Sequence, residues 1–277
     1  MGISVIIPVY NCEQWLEESI ASALQFDMVK EVIVVDDGST DNSPKLISKL
    51  AESDPRIVRL SHQNNENKGR SASRNLGTQM ATLPWVAFLD ADDYFLPNRF
   101  DGIDWDTEMD GYYGTIVSKN LVNTDQSGVL TGVPKSVKPE ELFEYLTEQS
   151  EHYFSIISMT IRRDKLLSTT LFDEQLAIGE DTDLIWRLSH ELSLDQGNMS
   201  DPIAVRRVHA SNHDPEDPGR AEFYRKWLIA APHELSDRAQ KRMFYSYQRY
   251  KGQSYSESRL YEMYRFYKWK LSGKGPV

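Results

Sequence analysis

The stretch Trp85-Val86-Ala87-Phe88-Leu89-Asp90-Ala91-Asp92-Asp93 decides the fold. Its first five residues are apolar, which is typical of a buried strand, and three carboxylates follow within four positions. Because burying an unpaired carboxylate is costly, the acids must follow the strand at its carboxyl end, on the rim of a sheet. Asp90 and Asp92 are two residues apart and point the same way along an extended chain. The pair predicts an oxygen-rich site for Mg²⁺ or Mn²⁺, and an acidic loop that caps the next helix is the alternative.

Strands and helices alternate over the first hundred residues. The apolar, β-branched runs predict strands at 4–10, 31–35, 56–60 and 85–89, and helical spacing of apolar residues separates them. This alternation predicts an α/β fold with a parallel sheet and right-handed crossovers. After Asp93 the pattern weakens, with strands predicted at 112–119, 154–161 and 203–208 and helices at 139–148 and 180–192.

Polar residues follow three of these strands at what should be one edge of the sheet. Tyr10 follows the first strand, Asp36 and Asp37 end the second, and Asp90–Asp93 ends the fourth. Parallel strands place their carboxyl ends side by side, so these residues should converge on one cleft. An aromatic ring, a carboxylate and an acidic pair suit a nucleotide, with Tyr10 on the base, Asp37 accepting an N–H and Asp92 on a metal. Taken alone, Tyr10 also fits a core or rim aromatic.

Four motifs in order resemble those of family 2 glycosyltransferases. They are Val5–Asn11, Val34–Asp41, Asn67–Gly77 and Phe88–Asp93. The resemblance implies a GT-A fold, which is a Rossmann-like, mostly parallel sheet flanked by helices. It also implies inverting transfer of a sugar from a nucleotide-sugar donor, with a divalent metal (Mn²⁺ or Mg²⁺), to a hydroxyl of a glycan or lipid-linked saccharide.

The resemblance also implies roles for individual residues. The ribose contact falls to Asp90 and the metal to Asp92. The residues predicted at the nucleotide are Pro8, Tyr10, Asp37, Gly69, Arg74, Asp90 and Ala91. Arg74 is alternatively a structural partner of Asp36 or Asp37.

The second half of the chain must supply a catalytic base. Gly179-Glu180-Asp181 resembles the family's Glu-Asp motif before a helix, and Asp181 corresponds to the base. An inverting transfer displaces the nucleoside diphosphate in line, so a carboxylate on the opposite face of the sugar must accept the proton of the acceptor hydroxyl. The alternative is that Glu180 and Asp181 only favour the positive end of a helix.

A histidine late in the chain is the second predicted metal ligand. His209 resembles the first residue of a His-x-x-Ser/Asn element found near the diphosphate or metal in many family members. A structural or surface histidine is the alternative. The preceding Arg206 and Arg207 are candidates for pairing with the diphosphate.

Composition indicates which class of protein this is and which cellular compartment fits it. The 277 residues are 40% hydrophobic and 26% charged, which is ordinary for a globular protein. The single cysteine, Cys12, allows no internal disulfide and fits a reducing compartment. No signal peptide is recognised, and no apolar run approaches the roughly 18 residues of a transmembrane helix. We therefore expect a cytoplasmic protein.

The net charge of −11 is unevenly distributed. Residues 220–277 hold 13 Lys and Arg against 5 Asp and Glu, and the remainder holds 18 against 37. The acidic body excludes general nucleic-acid binding, because it would repel phosphates. We predict a glycosyltransferase domain at 1–218, with a nucleotide-binding half at 1–100 and an acceptor-binding half at 101–218, and a helical, basic and aromatic extension at 219–277.

Within this extension, four apolar residues share one face of a predicted helix: Leu260, Tyr264, Tyr267 and Leu271. Basic residues surround that face, a mixture typical of helices that lie on anionic membranes. We expect peripheral contact with the inner face of the cell membrane, or with a partner subunit in a homodimer. The alternative is that these aromatics pack on the catalytic domain.

Other functions are less well supported by the sequence. A catalytically silent relative that binds nucleotide sugars as a partner in polysaccharide assembly would tolerate loss of Asp92 or Asp181, yet both are present. A nucleotidyltransferase would need a glycine-rich phosphate loop after the first strand, and a dehydrogenase would need Gly-x-Gly-x-x-Gly there. The residues favour a UDP-sugar donor, because Asp37 can accept an N–H from uracil and Tyr10 can stack on a small ring.

Overall fold

A computed structural model describes residues 2–121, 128–134, 137–149, 153–209, 219–230, 233–251 and 266–271. The strands are β1 (Ile3–Val9), β2 (Val29–Asp36), β3 (Ile57–Ser61), β4 (Trp85–Phe88), β5 (Tyr94–Phe95), β6 (Gly111–Tyr113), β7 (Ile116–Asn120), β8 (Val129–Thr131), β9 (Thr160–Arg162), β10 (Leu194–Gln196) and β11 (Ala204–Val208). The helices are α1 (Leu16–Leu24), α2 (Ser43–Ser53), α3 (Arg70–Met80), α4 (Leu142–Glu148), α5 (Arg163–Ser168), α6 (Glu180–Glu191), α7 (Arg220–Ala230) and α8 (Asp237–Tyr250).

The central sheet has seven strands in the order β10-β6-β9-β4-β1-β2-β3. Strands β4, β1, β2 and β3 are mutually parallel, and β9 is antiparallel to both of its neighbours. Every residue of β1 is buried, as expected for a strand covered by helices on both faces. The predicted mostly parallel α/β sheet flanked by helices is confirmed.

A smaller sheet forms beside the end of β4. Its order is β5-β11-β7-β8, with β11 parallel to β7 and antiparallel to β5. Strand β5 begins directly after Asp93, so the pairing of β11 with β5 brings the residues before His209 to the acidic motif. Sequence positions more than a hundred residues apart thereby share one rim.

Two predicted strands are wrong in detail. The run 112–119 is two strands in two different sheets, because the chain leaves β6 at Gly114, where a Cβ would lie 2.5 Å from the Ile203 side chain. The run 154–161 is mostly irregular and contains a 3₁₀ turn at Ile156–Ser158 before β9. In both cases apolar residues are buried without extending a single strand.

Helix α3 lies unusually close to the sheet. A Cβ on Gly77 would be 2.6 Å from Cγ2 of Ile6 in β1, so only glycine permits this approach. Because α3 packs closely on β1, its residue Arg74 can reach the acids that follow β4. The tight packing therefore links the core of the sheet to its rim.

The helices after residue 219 pack on the second half of the chain. Phe223 and Trp227 of α7 are buried against Trp186 of α6, and α8 packs on α7. The predicted helical extension is confirmed, whereas the boundary at 218 stays a prediction because 210–218 lie outside the described residues.

Only part of the predicted amphipathic face can be located. In the helical segment 266–271, Phe266 is buried against Phe244, while Tyr267 and Leu271 are 50% and 87% exposed. Leu260 and Tyr264 lie outside the described residues. In the described part of the chain, no helix is both long and apolar enough to cross a membrane.

Candidate active site

Asp37, at the end of β2, is fixed by the loop before α3. Its Oδ1 accepts the backbone N–H of Lys68 at 2.7 Å, and its Oδ2 accepts that of Gly69 at 2.9 Å. Gly69 has a φ of +88°, a conformation that favours glycine, and directly precedes α3. The structure thus brings together Asp37 and Gly69, two of the residues predicted at the nucleotide.

The loops after β1 and β2 are joined to each other. The side-chain oxygen of Asn11 accepts the backbone N–H of Thr40 at 2.7 Å, and the Ser39 hydroxyl accepts the backbone N–H of Asn11 at 3.0 Å. These bonds hold the turn that follows Tyr10, whose side chain is 53% exposed at the rim. Pro8 is buried within β1. The exposed ring of Tyr10 is therefore available to stack on a ligand.

Arg74 joins the two halves of the candidate site. It is 2% exposed, and its Nη2 donates to Oδ1 of Asp90 at 2.6 Å while its Nη1 donates to Oε1 of Glu180 at 3.2 Å. Burial alone would lower the pKa of Arg74, but these two carboxylates raise it. The alternative in which Arg74 pairs with Asp36 or Asp37 is not what the structure shows.

Asp90 is ionised through its contact with Arg74. Burial opposes ionisation, yet the charge and hydrogen bond of Arg74 outweigh burial and hold the pKa of Asp90 below its usual value. Its backbone carbonyl accepts the Ser19 hydroxyl at 3.1 Å, and the following Ala91 is buried. Asp90 is thus a fixed anion at the carboxyl end of β4.

Asp92 and His209, the two predicted metal ligands, are in direct contact. Nε2 of His209 lies 2.8 Å from Oδ2 of Asp92. The His209 ring also stacks on Trp15 at the start of α1, with ring centroids 4.5 Å apart. A carboxylate oxygen and an imidazole nitrogen are therefore adjacent at the rim.

Arg207 stabilises the backbone and side chains of the acidic motif after β4 through several hydrogen bonds. Its backbone N–H donates to Oδ1 of Asp93 at 2.7 Å, and its Nη1 donates to the carbonyl of Asp92 at 2.7 Å. Its Nη2 pairs with Glu18 of α1, and the guanidinium lies 4.5 Å from the centroid of the Tyr94 ring. Of the two arginines predicted to pair with a diphosphate, Arg207 is thus buried and occupied, whereas Arg206 is exposed.

The two acids at the start of α6, Glu180 and Asp181, make different contacts. Glu180 is buried and accepts from Arg70 at 2.6 Å as well as from Arg74. Burial and the neighbouring Asp181 charge raise the pKa of Glu180, while the two arginines act in the opposite direction. Asp181 is partly exposed and accepts the backbone N–H of Thr182 at 2.7 Å, with no ion pair among the described residues. Asp181 is therefore the member of the pair that remains available for chemistry.

Three functional contacts were missed from the sequence. They are Glu180 as a partner of Arg74, Trp15 as the ring beneath His209, and Glu18 as a partner of Arg207. Each joins residues more than a hundred positions apart, and no local pattern predicts such a pair. The one available signal was the position of Trp15 and Glu18 in the helix that follows the first strand end.

The side chains at the site fit a divalent cation whose coordination is completed by oxygens of the substrate. Among the described residues no group of three or more His, Cys, Asp or Glu side chains is arranged to hold a metal alone. Asp92 and His209 offer two ligands, and Mg²⁺-type sites are commonly completed by one or two carboxylates, water and substrate phosphates. The donor set suits a metal that binds together with a diphosphate.

These features define an α/β protein with a cluster of acidic and basic side chains at the carboxyl ends of parallel strands. Residues 4–168 match the sequence profile of the family described as glycosyl transferase family 2. The matched segment is more than half of the chain and includes all four motifs of the first hundred residues. The chain belongs to glycosyl transferase family 2.

Relatives from bacteria share the same region. The minor teichoic acid biosynthesis protein GgaA of Bacillus subtilis is 31% identical over 185 residues, which are 64% of this chain and 41% of that protein. The succinoglycan biosynthesis protein ExoO of Rhizobium meliloti is 29% identical over 188 residues, which are 65% of this chain and 53% of that protein. The chain thus spans about half the length of these two relatives.

Solved structures of glycosyltransferases share the fold. TarS of S. aureus (residues 1–349) in complex with UDP aligns with a TM-score of 0.60 and 21% identity, covering 89% of this chain and 70% of that chain. The mannosyltransferase PcManGT of Pyrobaculum calidifontis, in complex with GDP-Man and Mn²⁺, aligns with a TM-score of 0.57 and 16% identity, covering 89% and 69%. The expected GT-A fold is confirmed.

Proposed function

We propose that this protein is an inverting, metal-dependent glycosyltransferase that moves a sugar from a nucleotide sugar to a hydroxyl of a glycan or lipid-linked saccharide. The observation that carries the proposal is the bridge through Arg74. One guanidinium binds Asp90 on the donor side and Glu180 beside Asp181 on the acceptor side. The acids proposed for donor binding and for proton transfer are therefore linked through one side chain.

Each residue has a distinct part in the proposed reaction. Tyr10 stacks on the base, Asp37 accepts an N–H of the base, and Gly69 and Arg74 shape the loop beside the nucleotide. Asp90 contacts the ribose, and Pro8 and Ala91 complete the pocket wall. Asp92 and His209 would hold Mn²⁺ or Mg²⁺, which when bound neutralises charge that develops on the leaving diphosphate.

Asp181 is the proposed general base. It accepts the proton of the acceptor hydroxyl as that oxygen attacks the anomeric carbon on the face opposite the diphosphate. It lies in the first turn of α6, at the amino-terminal end of the helix. Arg70 and Arg74 pair with Glu180 and leave Asp181 without an ion pair among the described residues.

The proposed donor is a UDP-sugar. Uracil presents an N–H that a carboxylate at Asp37 can accept, and TarS has been solved with UDP and with UDP-GlcNAc. A direct competition between UDP and GDP tests this choice. Tighter binding of GDP would contradict it, and the GDP-Man complex of PcManGT shows that the fold accommodates either base.

The proposed acceptor belongs to a cell-envelope polysaccharide. Relatives are named for teichoic acid and succinoglycan biosynthesis. We also propose that the enzyme lies in the cytoplasm, peripherally at the inner face of the membrane. The positive charge of residues 220–277 would be attracted to anionic lipid. A homodimer through the same segment is the alternative. Sedimentation with anionic liposomes at low salt, compared with neutral liposomes, tests the placement, and equal partitioning would contradict it.

Two substitutions test the proposed function. Asp92→Asn should weaken UDP binding measured by calorimetry in Mn²⁺, and chelator should weaken binding to the unchanged protein. Asp181→Asn should lower metal-dependent turnover of UDP-sugars by about 10²–10⁴-fold with UDP affinity unchanged. Asp201→Asn, at an exposed aspartate, is the matched control. Equal UDP affinity in chelator and in Mn²⁺ would refute the metal requirement, and full turnover by Asp181→Asn would refute the base.

A further inference from the structure

The third acid in the first turn of α6 is fully buried. Asp183 is 0% exposed and lies two residues beyond Asp181. Its carboxylate accepts from Nε of Arg187 at 3.0 Å, from Nε1 of Trp227 at 3.0 Å and from Nζ of Lys226 at 2.8 Å. A buried carboxylate is tolerated only when several donors compensate for the lost water, so these contacts fix its place firmly.

Two of these three donors come from α7. Trp227 and Lys226 lie well outside residues 4–168, the segment that matches the family profile. The indole of Trp227 also packs edge-on against Trp186 of α6, with ring centroids 5.3 Å apart. Helix α7 therefore contributes to the proposed active site from a part of the chain that the family match does not cover.

Helix α7 also contacts the residue just before α6. Gly179 has a φ of +80°, and a Cβ there would lie 3.0 Å from Cγ of Phe223. Phe223 thus packs on Gly179 while Trp227 and Lys226 bind Asp183. The backbone on both sides of Asp181 is held by one helix.

The same helix secures the loop that precedes α6. Nζ of Lys226 lies 2.8 Å from Asp173 as well as from Asp183, so one ammonium joins the loop to the helix. Phe172, in that loop, packs against the guanidinium of Arg74 at 5.2 Å from the ring centroid. The loop, α6 and the Arg74 bridge consequently form one connected unit.

We propose that α7 sets the position of the Asp181 carboxylate, with Trp227 and Lys226 as positioning residues. The inference rests on the proposed function, because it assumes that Asp181 is the base. A general base must lie within hydrogen-bond reach of its proton, and a displacement of about 1 Å can cost about 10²-fold in rate. Loosening the first turn of α6 displaces Asp181 without touching the nucleotide.

The first test is Trp227→Phe, which keeps an aromatic ring but removes the N–H donor to Asp183. We expect kcat for UDP-sugar turnover to fall by about 10–100-fold while the calorimetric Kd for UDP stays unchanged. Lys226→Met should act in the same direction, and Lys226→Arg should restore most of the rate. Arg225→Gln is the matched control, since Arg225 is exposed on the same helix and pairs only with Glu222 in the described contacts.

A double-mutant cycle separates positioning from a general effect on folding. In the Asp181→Asn background, Trp227→Phe should cause no further loss, because the group that it positions has been removed. An equal loss in both backgrounds, or wild-type kcat for folded Trp227→Phe and Lys226→Met, would overturn the inference while the proposed function stands. Full turnover by Asp181→Asn alone would instead overturn the proposed function, so the two failures are distinguishable.

Discussion

The acidic pair after β4 and the acidic pair at the start of α6 are built alike in opposite halves of the chain. In each pair one acid, Asp90 or Glu180, binds Arg74, and the other, Asp92 or Asp181, does not. The acid that does not bind Arg74 is, in each pair, the one to which the proposed function gives metal or proton chemistry. One buried arginine thus binds one acid of each pair.

The two pairs differ in how their backbones are held. The pair after β4 ends a strand of the central sheet and is fixed by Arg207, which donates to both Asp92 and Asp93. The pair on α6 begins a helix, where α7 supplies the fixing contacts through Trp227 and Lys226. The acids after β4 are therefore held by contacts within the sheet region, whereas those at the start of α6 depend on a helix later in the chain.

The largest expected effect comes from removing the shared partner. Arg74→Met leaves Asp90 without its cation and the buried Glu180 with Arg70 alone, which should lower the free energy of unfolding by about 3–5 kcal/mol. Denaturant unfolding measures the loss. Arg70→Met is the control, because Arg70 is 41% exposed in its side chain and, besides Glu180, contacts the backbone carbonyl of Ala177. Equal stabilities of the two variants would show that the bridge does not hold the halves together.

A smaller effect is expected from moving α3 away from the sheet. Gly77→Ala introduces a methyl group 2.6 Å from Ile6, so α3 must shift, and overpacking of this kind costs about 1–3 kcal/mol. Because Arg74 moves with α3, UDP affinity should fall as well. Gly197→Ala is the control, since its nearest neighbour would be 3.5 Å away. Unchanged stability and affinity in Gly77→Ala would contradict the role of this close approach.

The smallest expected effect is on how the free energy of unfolding changes at acid pH, through the ion pair between Asp173 and Lys226. Burial opposes ionisation of Asp173, but the hydrogen bond from Lys226 outweighs it and holds the pKa of Asp173 below its usual value. The folded state then binds fewer protons, so this contribution is present above the ordinary aspartate range and is lost as pH falls through the folded-state pKa.

Asp173→Asn should therefore lower the free energy of unfolding at neutral pH and have little effect at the acid end. Thermal unfolding across a pH series measures the difference between variant and unchanged protein. Lys226→Met should remove most of the same pH dependence. A difference that is constant with pH would show that the ion pair between Lys226 and Asp173 contributes nothing to it.

Much of the donor side could be predicted from the sequence because its signals are local. Apolar runs that end in Asp37 and Asp90 already indicate strands with acids at the rim, and parallel geometry brings those rims together. That Asp92 and His209 lie near each other agrees with their prediction as metal ligands, which came only from the family resemblance and stays a prediction. Arg74 was predicted beside the nucleotide, which stays a prediction; the alternative partners, Asp36 and Asp37, were wrong, because sequence spacing says nothing about which acid a helix will face.

The sequence by itself determined the order of strands and helices over the first ninety residues, the four motifs and the family. It did so because hydrophobic periodicity and short motifs are properties of neighbouring residues. Only the tertiary structure decided that Arg74 joins Asp90 to Glu180, that Arg207 is occupied, and that Trp227 and Lys226 bind Asp183. These contacts follow from how closely α3 and α7 pack against their neighbours, and close packing depends on the shapes of surfaces that meet only after the chain has folded.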